Sequence, residues 1–282
     1  MRVCYLSNND MPSKMANSIQ TIKMCEAFVQ NGNNVLLICP NSEKVKSTIF
    51  NYYNIKTKFD FLKLKRYKKF PIGLSYYFFS FESIYSSLAY KPDIYVTRNF
   101  FTSFLLFLLK KKHIFEIHDD ILIEGRIVKF LIKFFKILNY ASVIKIITTT
   151  HSLKKKYLEY GVLKKKIFVL HNASSLKSKF KKYTNKKNKL KIGYFGSIYN
   201  SRGIEIILKI SKIDRKNTYH IYGGSEDHIH QIKKNIKNKN IKLNSHIPYS
   251  EIYNKLKNID VCILPYTSKI TVSGNVGDIS NY

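Results

Sequence analysis

The sequence predicts an α/β fold of two doubly wound, Rossmann-like domains, and two observations lead to this. Short runs that are apolar on both faces, such as 34–40, alternate with helical patterns, which is typical of parallel sheets covered by helices. A polar, lysine-rich stretch then separates two such series and is typical of a linker. We therefore predict an N-terminal domain at 1–175, a linker at 176–190 and a partial C-terminal domain at 191–282.

The first series contains apolar runs that predict parallel strands at 2–7, 34–40, 93–98, 113–119, 143–149 and 166–172. The spacing of apolar residues predicts the intervening helices at 18–32, 73–90, 100–111, 125–139 and 151–160. In the first helix, Ile19, Ile22 and Cys25 share one face, and Gly32 is a stop signal. The block 41–72 is basic and aromatic without a regular period, so we expect irregular structure there.

The second series predicts strands at 191–197, 219–224, 241–247 and 261–266 and helices at 203–211, 225–237 and 250–259. A sheet of these strands, followed by a loop-like segment, has an open edge, so we expect the second domain to be incomplete in the chain as given. Right-handed crossovers bring the carboxyl ends of all strands in a sheet to one edge, where ligands bind.

The charge balance is strongly basic: 49 Lys and Arg residues face 18 Asp and Glu residues, a formal net charge of +31. Codon usage that favours Lys, Ile, Asn, Tyr and Phe explains such a surface. Attraction to an anionic membrane or to a phosphorylated substrate is the functional explanation. The lysines are scattered and form no nucleic-acid-binding module, so we expect no specific nucleic-acid partner.

The four cysteines lack metal-binding spacing, and three of them lie in apolar strand-like runs, which predicts buried thiols in a reducing compartment. The opening residues MRVCYLS lead directly into a strand, so we expect no signal peptide. The longest apolar stretch, 100–109, is about half a membrane span. These features predict a cytoplasmic protein, with peripheral contact to the inner face of a membrane as an option.

Residues 115–120, FEIHDD, place Glu116, His118, Asp119 and Asp120 at the end of a strand that otherwise looks buried. Such groups are costly to bury without partners. A hydrogen-bonded core histidine and a site residue at the strand's carboxyl end both explain His118.

Glycine-containing turns end two strands of the second series. GYFGSIYNSRG (193–203) runs from a strand through Gly196 and Ser197 to Arg202 and Gly203 at a predicted helix start, and HIYGGSED (220–227) carries Gly223 and Gly224. Such turns offer backbone N–H groups and a helix N-terminus to phosphate, and an arginine adds a charge-assisted bond. A plain strand-to-helix turn also uses glycine.

The order of seven segments resembles the retaining glycosyltransferases of the GT-B fold, family four. The segments are EAFVQNGNNVLLI, PDIYVTRN, FEIHD, IITTTHSLKKKYLEYGVLKKKIFVLHNA, KIGYFGSIYNSRGIEIILKI, YHIYGG and IPYSEIYNKLKNIDVCILPY. The resemblance covers nearly the whole chain. It implies transfer of a sugar from a nucleotide-diphosphate sugar to an acceptor hydroxyl, with anomeric retention and without a metal or other cofactor.

The resemblance also implies the donor site. The N-terminal domain would hold the acceptor, and the C-terminal domain would hold the nucleotide-sugar. The donor's diphosphate would lie against the Gly196 loop and Arg202, with Gly203, Gly223 and Gly224 in the same turns. The family's first basic position is occupied here by Ser197, so half of that charge pair is absent. Ile247 matches a position whose backbone meets the base.

For the reaction site, the resemblance implies that His118 hydrogen-bonds to a sugar hydroxyl. We expect Asp119 to orient the histidine or to cap the next helix, and Glu116 to partner buried basic or backbone groups. No DxD metal motif occurs. A nucleotide-sugar epimerase of the same fold is a rival, but only the FEIHDD cluster could supply its acid and base carboxylates.

Two departures from the family pattern concern the donor site. The loop after the first strand, SNNDMPSKMANS, has no glycine, although Ser13, Ala16 and Ser18 are small. The family's glutamate pair, which would bind the donor ribose, is not found before Tyr282. We therefore expect a truncated donor domain, and a catalytically inactive fragment that acts as a binding protein is the alternative function.

The acceptor is suggested by two basic segments. The stretch 61–73 is basic and aromatic, and the helix near 126–138 aligns Arg126, Lys129, Lys133 and Lys136 on one face. An interfacial helix on an anionic membrane has this pattern, and so has a packed helix with a solvated basic stripe. The first interpretation fits a lipid-linked or other glycan acceptor in the synthesis of a surface polysaccharide such as capsule or lipopolysaccharide.

Overall fold

The computed structural model describes residues 1–41, 48–65, 72–123, 126–174, 188–198, 202–224, 226–234, 236, 238–272 and 275–278. The chain divides into two units, Met1–Ala173 (unit 1) and Ser174–Ser280 (unit 2). Most of the predicted linker at 176–190 lies outside the described residues, as does the end of the basic block near residue 70.

Unit 1 is built on a seven-stranded parallel sheet. Its strands are β1 Arg2–Leu6, β2 Asn34–Pro40, β3 Asp60–Leu64, β4 Ile94–Thr97, β5 His113–Ile117, β6 Val143–Thr148 and β7 Ile167–Val169. The spatial order is β3-β2-β1-β4-β5-β6-β7. The order reverses between β1 and β4, which places the topological switch point, and with it the expected ligand crevice, at the carboxyl ends of these two strands.

The helices of unit 1 are α1 Ala16–Gln30, α2 Ile49–Tyr52, α3 Ile72–Ser87, α4 Phe100–Leu108, α5 Arg126–Phe135 and α6 His151–Glu159. Short 3-10 turns follow at Leu88–Tyr90, Ile121–Ile123 and Ile137–Asn139. Side chains cap three of the described helices: Thr48 accepts the Asn51 N–H at the start of α2, Asn99 accepts the Thr102 N–H at the start of α4, and Thr150 accepts the Leu153 N–H at the start of α6. Each cap satisfies a donor that the helix leaves unpaired.

The prediction of irregular structure over 41–72 was wrong in part, because this block contains α2 and β3. The strand β3 lies at the edge of the sheet, where Asp60 is exposed and Leu64 is buried. An edge strand has one half-solvated side and tolerates charges, so it lacks the continuous apolar run that marks the central strands.

Helices cover both faces of the sheet, and alternate residues of β1 pack against helices on opposite faces. Val3 and Tyr5 pack with Ile22 of α1, whereas Cys4 and Leu6 point to the opposite face and pack with helices α3 and α4. A third cluster joins β5 and β6 to α5 and α6, with Phe115 fully buried. Burial of each large apolar side chain contributes about 1.5–3 kcal/mol.

Unit 2 contains a four-stranded parallel sheet in the order β10-β9-β8-β11. Its strands are β8 Lys191–Phe195, β9 Thr218–Tyr222, β10 Ile241–Asn244 and β11 Val261–Cys262, and its helices are α7 Ile204–Ile213, α8 Glu226–Lys234 and α9 Tyr249–Leu256. The order again reverses, here between β8 and β11, so the expected ligand edge lies at the ends of these strands.

Two details of unit 2 differ from the sequence expectation. The segment after 261–266, expected to be a loop, contains an antiparallel pair, β12 Lys269–Val272 and β13 Asn275–Asp278. In addition, β11 is only two residues long, and its Cys262 is exposed although it lies in an apolar run. A strand this short at the edge of a sheet leaves its side chains with few neighbours.

The other three cysteines, Cys4, Cys25 and Cys39, are buried free thiols. Burial raises the pKa of each, in the case of Cys39 to about 12, so they remain protonated and act as small apolar groups. No helix within the described ranges has both the length and the apolar character needed to span a bilayer.

His113, at the start of β5, is fully buried in neutral form. Its Nδ1 lies 2.9 Å from the Lys111 carbonyl oxygen and its Nε2 lies 2.9 Å from the Ser103 hydroxyl. The carbonyl can only accept, so Nδ1 carries the proton and Nε2 accepts from Ser103. Burial lowers the pKa of His113 from 6.5 to about 4.

We predict that His113 makes unit 1 less stable as the pH falls from about 6.5 to about 4. In this window the unfolded chain binds a proton on His113 and the folded chain does not, so protonation favours unfolding. The slope of melting temperature against pH between 7 and 5 should be smaller in His113→Gln than in the wild type. His151→Gln, at an exposed position, is the control and should keep the wild-type slope. Equal slopes for His113→Gln and the wild type would contradict this.

Candidate functional site

A polar cavity of about 180 Å³ lies at the switch point of unit 1. Its lining comes from the ends of β1 and β4, from Asp119 after β5, and from helices α1 and α3. The lining residues are Tyr5, Leu6, Ser7, Asn8, Asn9, Asn17, Tyr76, Arg98, Asn99 and Asp119. Amide, hydroxyl, guanidinium and carboxylate groups in one recess can donate and accept hydrogen bonds, which is what binding of a polyhydroxylated ligand requires.

Beneath this edge, Glu116 is buried and connects β5 to β1. The Tyr5 hydroxyl donates a hydrogen bond of 2.9 Å to Glu116 Oε2, and His118 Nε2 lies 3.4 Å from the same oxygen. Burial and the neighbouring Glu116 carboxylate raise the pKa of Tyr5 well above its usual value, so the phenol stays a donor. Glu116 therefore contacts the imidazole at Nε2, and Nδ1 is the other polar atom of His118.

The carboxylates on either side of Asp119 make the two kinds of contact predicted for it. The contact that holds His118 comes from Glu116, and the cap of the next turn comes from Asp120, whose Oδ1 accepts the Leu122 N–H at 3.1 Å. Asp120 is buried and also forms an ion pair with Lys156. Asp119 instead is half-buried and lines the polar cavity. Glu116 was predicted to meet basic or backbone groups, and its partners here are a phenol and an imidazole.

The small residues of the first loop support the loop itself. The Ser13 and Ser18 hydroxyls lie 2.8 Å apart, and Ser18 Oγ also donates to the Asp10 carbonyl at 3.3 Å. The Tyr53 hydroxyl accepts the Ser13 N–H at 2.6 Å. Ala16 is exposed at the start of α1. The residues of this segment that line the cavity are instead asparagines: Asn8 and Asn9 after β1, and Asn17 in the first turn of α1.

In unit 2, the turns after β8 and β9 meet backbone to backbone. Gly223 has φ of +142°, and a Cβ placed there would lie 1.8 Å from the Gly196 carbonyl oxygen. The Gly196 N–H donates to the Tyr222 carbonyl at 3.0 Å. Gly224 has φ of +79°, a conformation that other residues rarely adopt. The glycines predicted as donor residues thus allow two loops to lie together at the carboxyl edge of the sheet.

Helix α7 begins at the same edge with Gly203 as its N-cap. Gly203 has φ of +71°, and a Cβ there would lie 1.7 Å from the Pro265 carbonyl oxygen in the segment after β11. The Arg202 guanidinium lies 4.9 Å from the centre of the Tyr266 ring. Its Nε is buried and has no hydrogen-bond partner among the described residues. A buried cationic donor without an acceptor, beside a helix N-terminus, is suited to an anion.

Two further predicted donor residues, Ser197 and Ile247, lie in segments that follow strands of unit 2. Ser197 is exposed, and its carbonyl accepts the Tyr194 hydroxyl at 2.8 Å. Ile247 is half-buried in the segment after β10. Residues 199–201, in the turn between Ser197 and Arg202, lie outside the described residues.

Sequence analysis missed Arg98 and Asn99 as cavity residues, together with the asparagines of the first loop. The available signal was their position: polar residues directly follow β1 and β4, at the edge where ligands bind in parallel sheets. Arg98 is also held in place, because its guanidinium donates to the Gln20 side chain at 3.2 Å.

The sequence model of the family described as Glycosyltransferase Family 4 matches residues 18–177, more than half of the chain. A search of curated protein sequences found no match.

Solved structures match both units. Sucrose-phosphate synthase from Thermosynechococcus elongatus has 12% identity and a TM-score of 0.69, with 94% of this chain and 75% of that chain covered. A glycosyltransferase from Rickettsia africae has 16% identity and a TM-score of 0.65, with 94% and 73% covered. UDP-GlcNAc 2-epimerase from Neisseria meningitidis, bound to UDP-GlcNAc, has 12% identity and a TM-score of 0.60, with 93% and 77% covered. These likenesses confirm the predicted α/β fold of two Rossmann-like units.

We predict that Gly203→Ala destabilises unit 2 by more than backbone strain alone. Gly32 supplies the control, since its φ of +78° is close to the +71° of Gly203 but a Cβ there meets nothing within 4 Å. Gly32→Ala should cost about 1–2 kcal/mol, and Gly203→Ala should cost more because the Pro265 backbone must move. Urea unfolding of both variants measures the difference. Equal losses would show that the Gly203 turn has room for a side chain.

Proposed function

Because this chain belongs to Glycosyltransferase Family 4, we propose that it moves a sugar from a nucleotide-diphosphate sugar to an acceptor hydroxyl with retention of anomeric configuration. Family membership supports glycosyl transfer over epimerisation, since the fold alone also occurs in the Neisseria epimerase. Family membership gives glycosyl transfer, and we propose the type of donor, the retention of configuration and the acceptor.

The observation that carries the donor proposal is the buried Nε of Arg202, which has no partner among the described residues. A diphosphate oxygen is the acceptor that this donor lacks. The N-terminus of α7 at Gly203 places the positive end of a helix dipole beside Arg202. The Gly196 and Gly223 turns pack against each other at the same edge. We assign the donor diphosphate to this edge of unit 2, with the base toward Ile247.

The chemistry follows from charge. Cleavage of the sugar–phosphate bond leaves a nucleoside diphosphate whose negative charge grows in the transition state. Donors already aimed at that charge, here the Arg202 guanidinium and backbone N–H groups, stabilise the transition state more than the ground state. We propose that these protein groups perform this task and that the reaction uses neither a metal ion nor another cofactor.

Unit 1 supplies groups suited to sugar hydroxyls. We propose that His118, fixed by Glu116, hydrogen-bonds a hydroxyl of the reacting sugar, and that Asp119 and Arg98 in the polar cavity bind acceptor hydroxyls. A glycan or lipid-linked glycan in the synthesis of a surface polysaccharide fits such a recess. We place the reaction in the cytoplasm, consistent with the buried thiols of Cys4, Cys25 and Cys39 in reduced form.

We predict that Arg202→Ala weakens nucleotide-sugar binding by about 1–3 kcal/mol, which is about 5- to 150-fold in Kd, because the diphosphate loses a charge-assisted hydrogen bond. Arg215→Ala removes the same charge from an exposed position of unit 2 and should leave Kd within twofold. Isothermal titration with a panel of UDP-, GDP- and dTDP-sugars measures both. Similar affinities of the two variants would remove Arg202 from the site.

We predict that His118→Ala lowers the rate of transfer by at least about tenfold, since a sugar hydroxyl loses its hydrogen-bond partner in the transition state. The Kd of the donor should change less than the rate, because the diphosphate contacts proposed for unit 2 remain. His230→Ala, at an exposed position of α8, is the control. The assay follows product by NMR, which also reads its anomeric configuration. An unchanged rate in His118→Ala would exclude His118, and an inverted product would exclude retention.

A further inference from the structure

A connected series of aromatic rings runs across helices α3, α4 and α5 of unit 1. Phe101 of α4 contacts Tyr77 and Phe81 of α3 at ring-centroid distances of 4.4 and 5.7 Å. Phe104 of α4 then lies 6.5 Å from Phe101 and 6.3 Å from Phe135 of α5. We call the surface formed by these three helices the aromatic face.

Large apolar side chains on this face are open to solvent. On α3, Phe81 is 56% exposed and Tyr85 is 77% exposed. On α5, Phe130 and Phe134 stack with centroids 5.2 Å apart and are 59% and 67% exposed. Further members that are more than a third exposed are Leu74, Tyr77, Phe78, Leu108, Leu109, Phe135 and Tyr140. Contiguous exposed apolar surface of this kind marks a place where the protein meets another apolar phase.

Basic side chains border the aromatic face. Arg126, Lys129 and Lys133 are exposed along α5, on the side next to Phe130 and Phe134, since residues three and four apart share a side of a helix. The run 110–112, directly after α4, consists of three exposed lysines. The sequence contains no acidic residue from 99 to 115 or from 125 to 158. The charge on these segments therefore has a single sign.

We propose that the aromatic face docks unit 1 onto the surface of an anionic lipid bilayer. Phenylalanine and tyrosine rings insert at the level of the headgroups, and the neighbouring lysines and arginine pair with anionic lipids, as in interfacial amphipathic helices. The exposed rings on α5 decide between the two interpretations of its sequence, because a packed helix with a solvated basic stripe would hide its phenylalanines.

Charge complementarity selects the bilayer over a second copy of this chain. Two copies meeting through this face would bring their lysines and arginines together, and like charges across an interface oppose binding. The bilayer also offers an apolar phase that can accept rings from three adjacent helices at once.

The aromatic face lies beside the polar cavity. Consecutive residues of α3 take part in the two features, since Tyr76 lines the cavity and Tyr77 contacts Phe101. A docked unit 1 would hold its cavity close to the headgroup layer, where the sugars of a lipid-linked acceptor lie. Docking itself is an inference separate from glycosyl transfer, and vesicle binding measures it without any turnover.

The test is cosedimentation of the whole chain with vesicles of phosphatidylcholine alone and of phosphatidylcholine with 30% phosphatidylglycerol, at about 150 mM salt. The double variant Phe130→Ser with Phe134→Ser should lower partitioning onto the anionic vesicles by about tenfold or more. Its matched control is Ile213→Ser with Leu264→Ser, which removes two residues of unit 2 that are 87% and 66% exposed and should keep wild-type partitioning.

A second pair of variants separates local from general charge. Lys129→Gln with Lys133→Gln should weaken binding to anionic vesicles several-fold, whereas Lys209→Gln with Lys212→Gln, at exposed positions of α7, should have little effect. Circular dichroism and melting temperature confirm that each variant is folded.

The outcomes are distinct. A selective loss in the α5 variants supports the proposal. Equal losses in the α5 and unit 2 variants would show non-specific attraction by the net positive charge and would overturn it. Failure of the wild type to bind either kind of vesicle, or a concentration-dependent dimer that the phenylalanine variant abolishes, would also overturn it and in the second case would identify a second copy as the occupant.

Discussion

Parallel pairing of β1 with β4 is the constraint on which the arrangement of unit 1 depends. Strands β2 and β3 lie on the β1 side of this pair, and strands β5 to β7 lie on the β4 side. The helices that follow β1 and β4 therefore leave in opposite directions. The chain after β1 and the chain after β4 thus separate at the sheet edge. The polar cavity occupies that gap, lined by Asn8 and Arg98 from the two sides.

Each buried carboxylate at this edge has protein partners that offset the free energy lost when it leaves water. Glu116 is buried but receives the Tyr5 hydroxyl and contacts His118, and Asp120 is buried but meets Lys156 and the Leu122 N–H. A buried carboxylate is tolerated when hydrogen bonds and an opposite charge replace water. Asp119, between them, lines the cavity, so two buried carboxylates with protein partners flank one that faces the recess.

Unit 2 also has a switch point in its sheet, but backbone groups approach each other there where unit 1 has polar side chains. Its switch point lies between β8 and β11, where Gly203 approaches Pro265 and Arg202 lies over Tyr266. The N-terminus of α7 beside Arg202 suits an anion, whereas the side-chain-rich edge of unit 1 suits hydroxyls. The proposed division between diphosphate and acceptor binding thus rests on a difference in local chemistry. The aromatic face adds a third surface, formed by the helices that cover one side of the unit 1 sheet.

The sequence by itself determined the fold class, the order of most elements and the position of FEIHDD and the glycine turns at strand ends, because period, apolar runs and turn residues are local properties. It could not determine that Glu116 accepts a hydrogen bond from Tyr5, since that depends on β1 lying beside β4 and β4 beside β5, and Tyr5 is 111 residues from Glu116. Nor could it find β3, whose edge position permits a polar pattern, or show that Phe130 and Phe134 face solvent. Pairing between distant segments decides burial, and burial decides which polar groups need partners and which are left for a ligand.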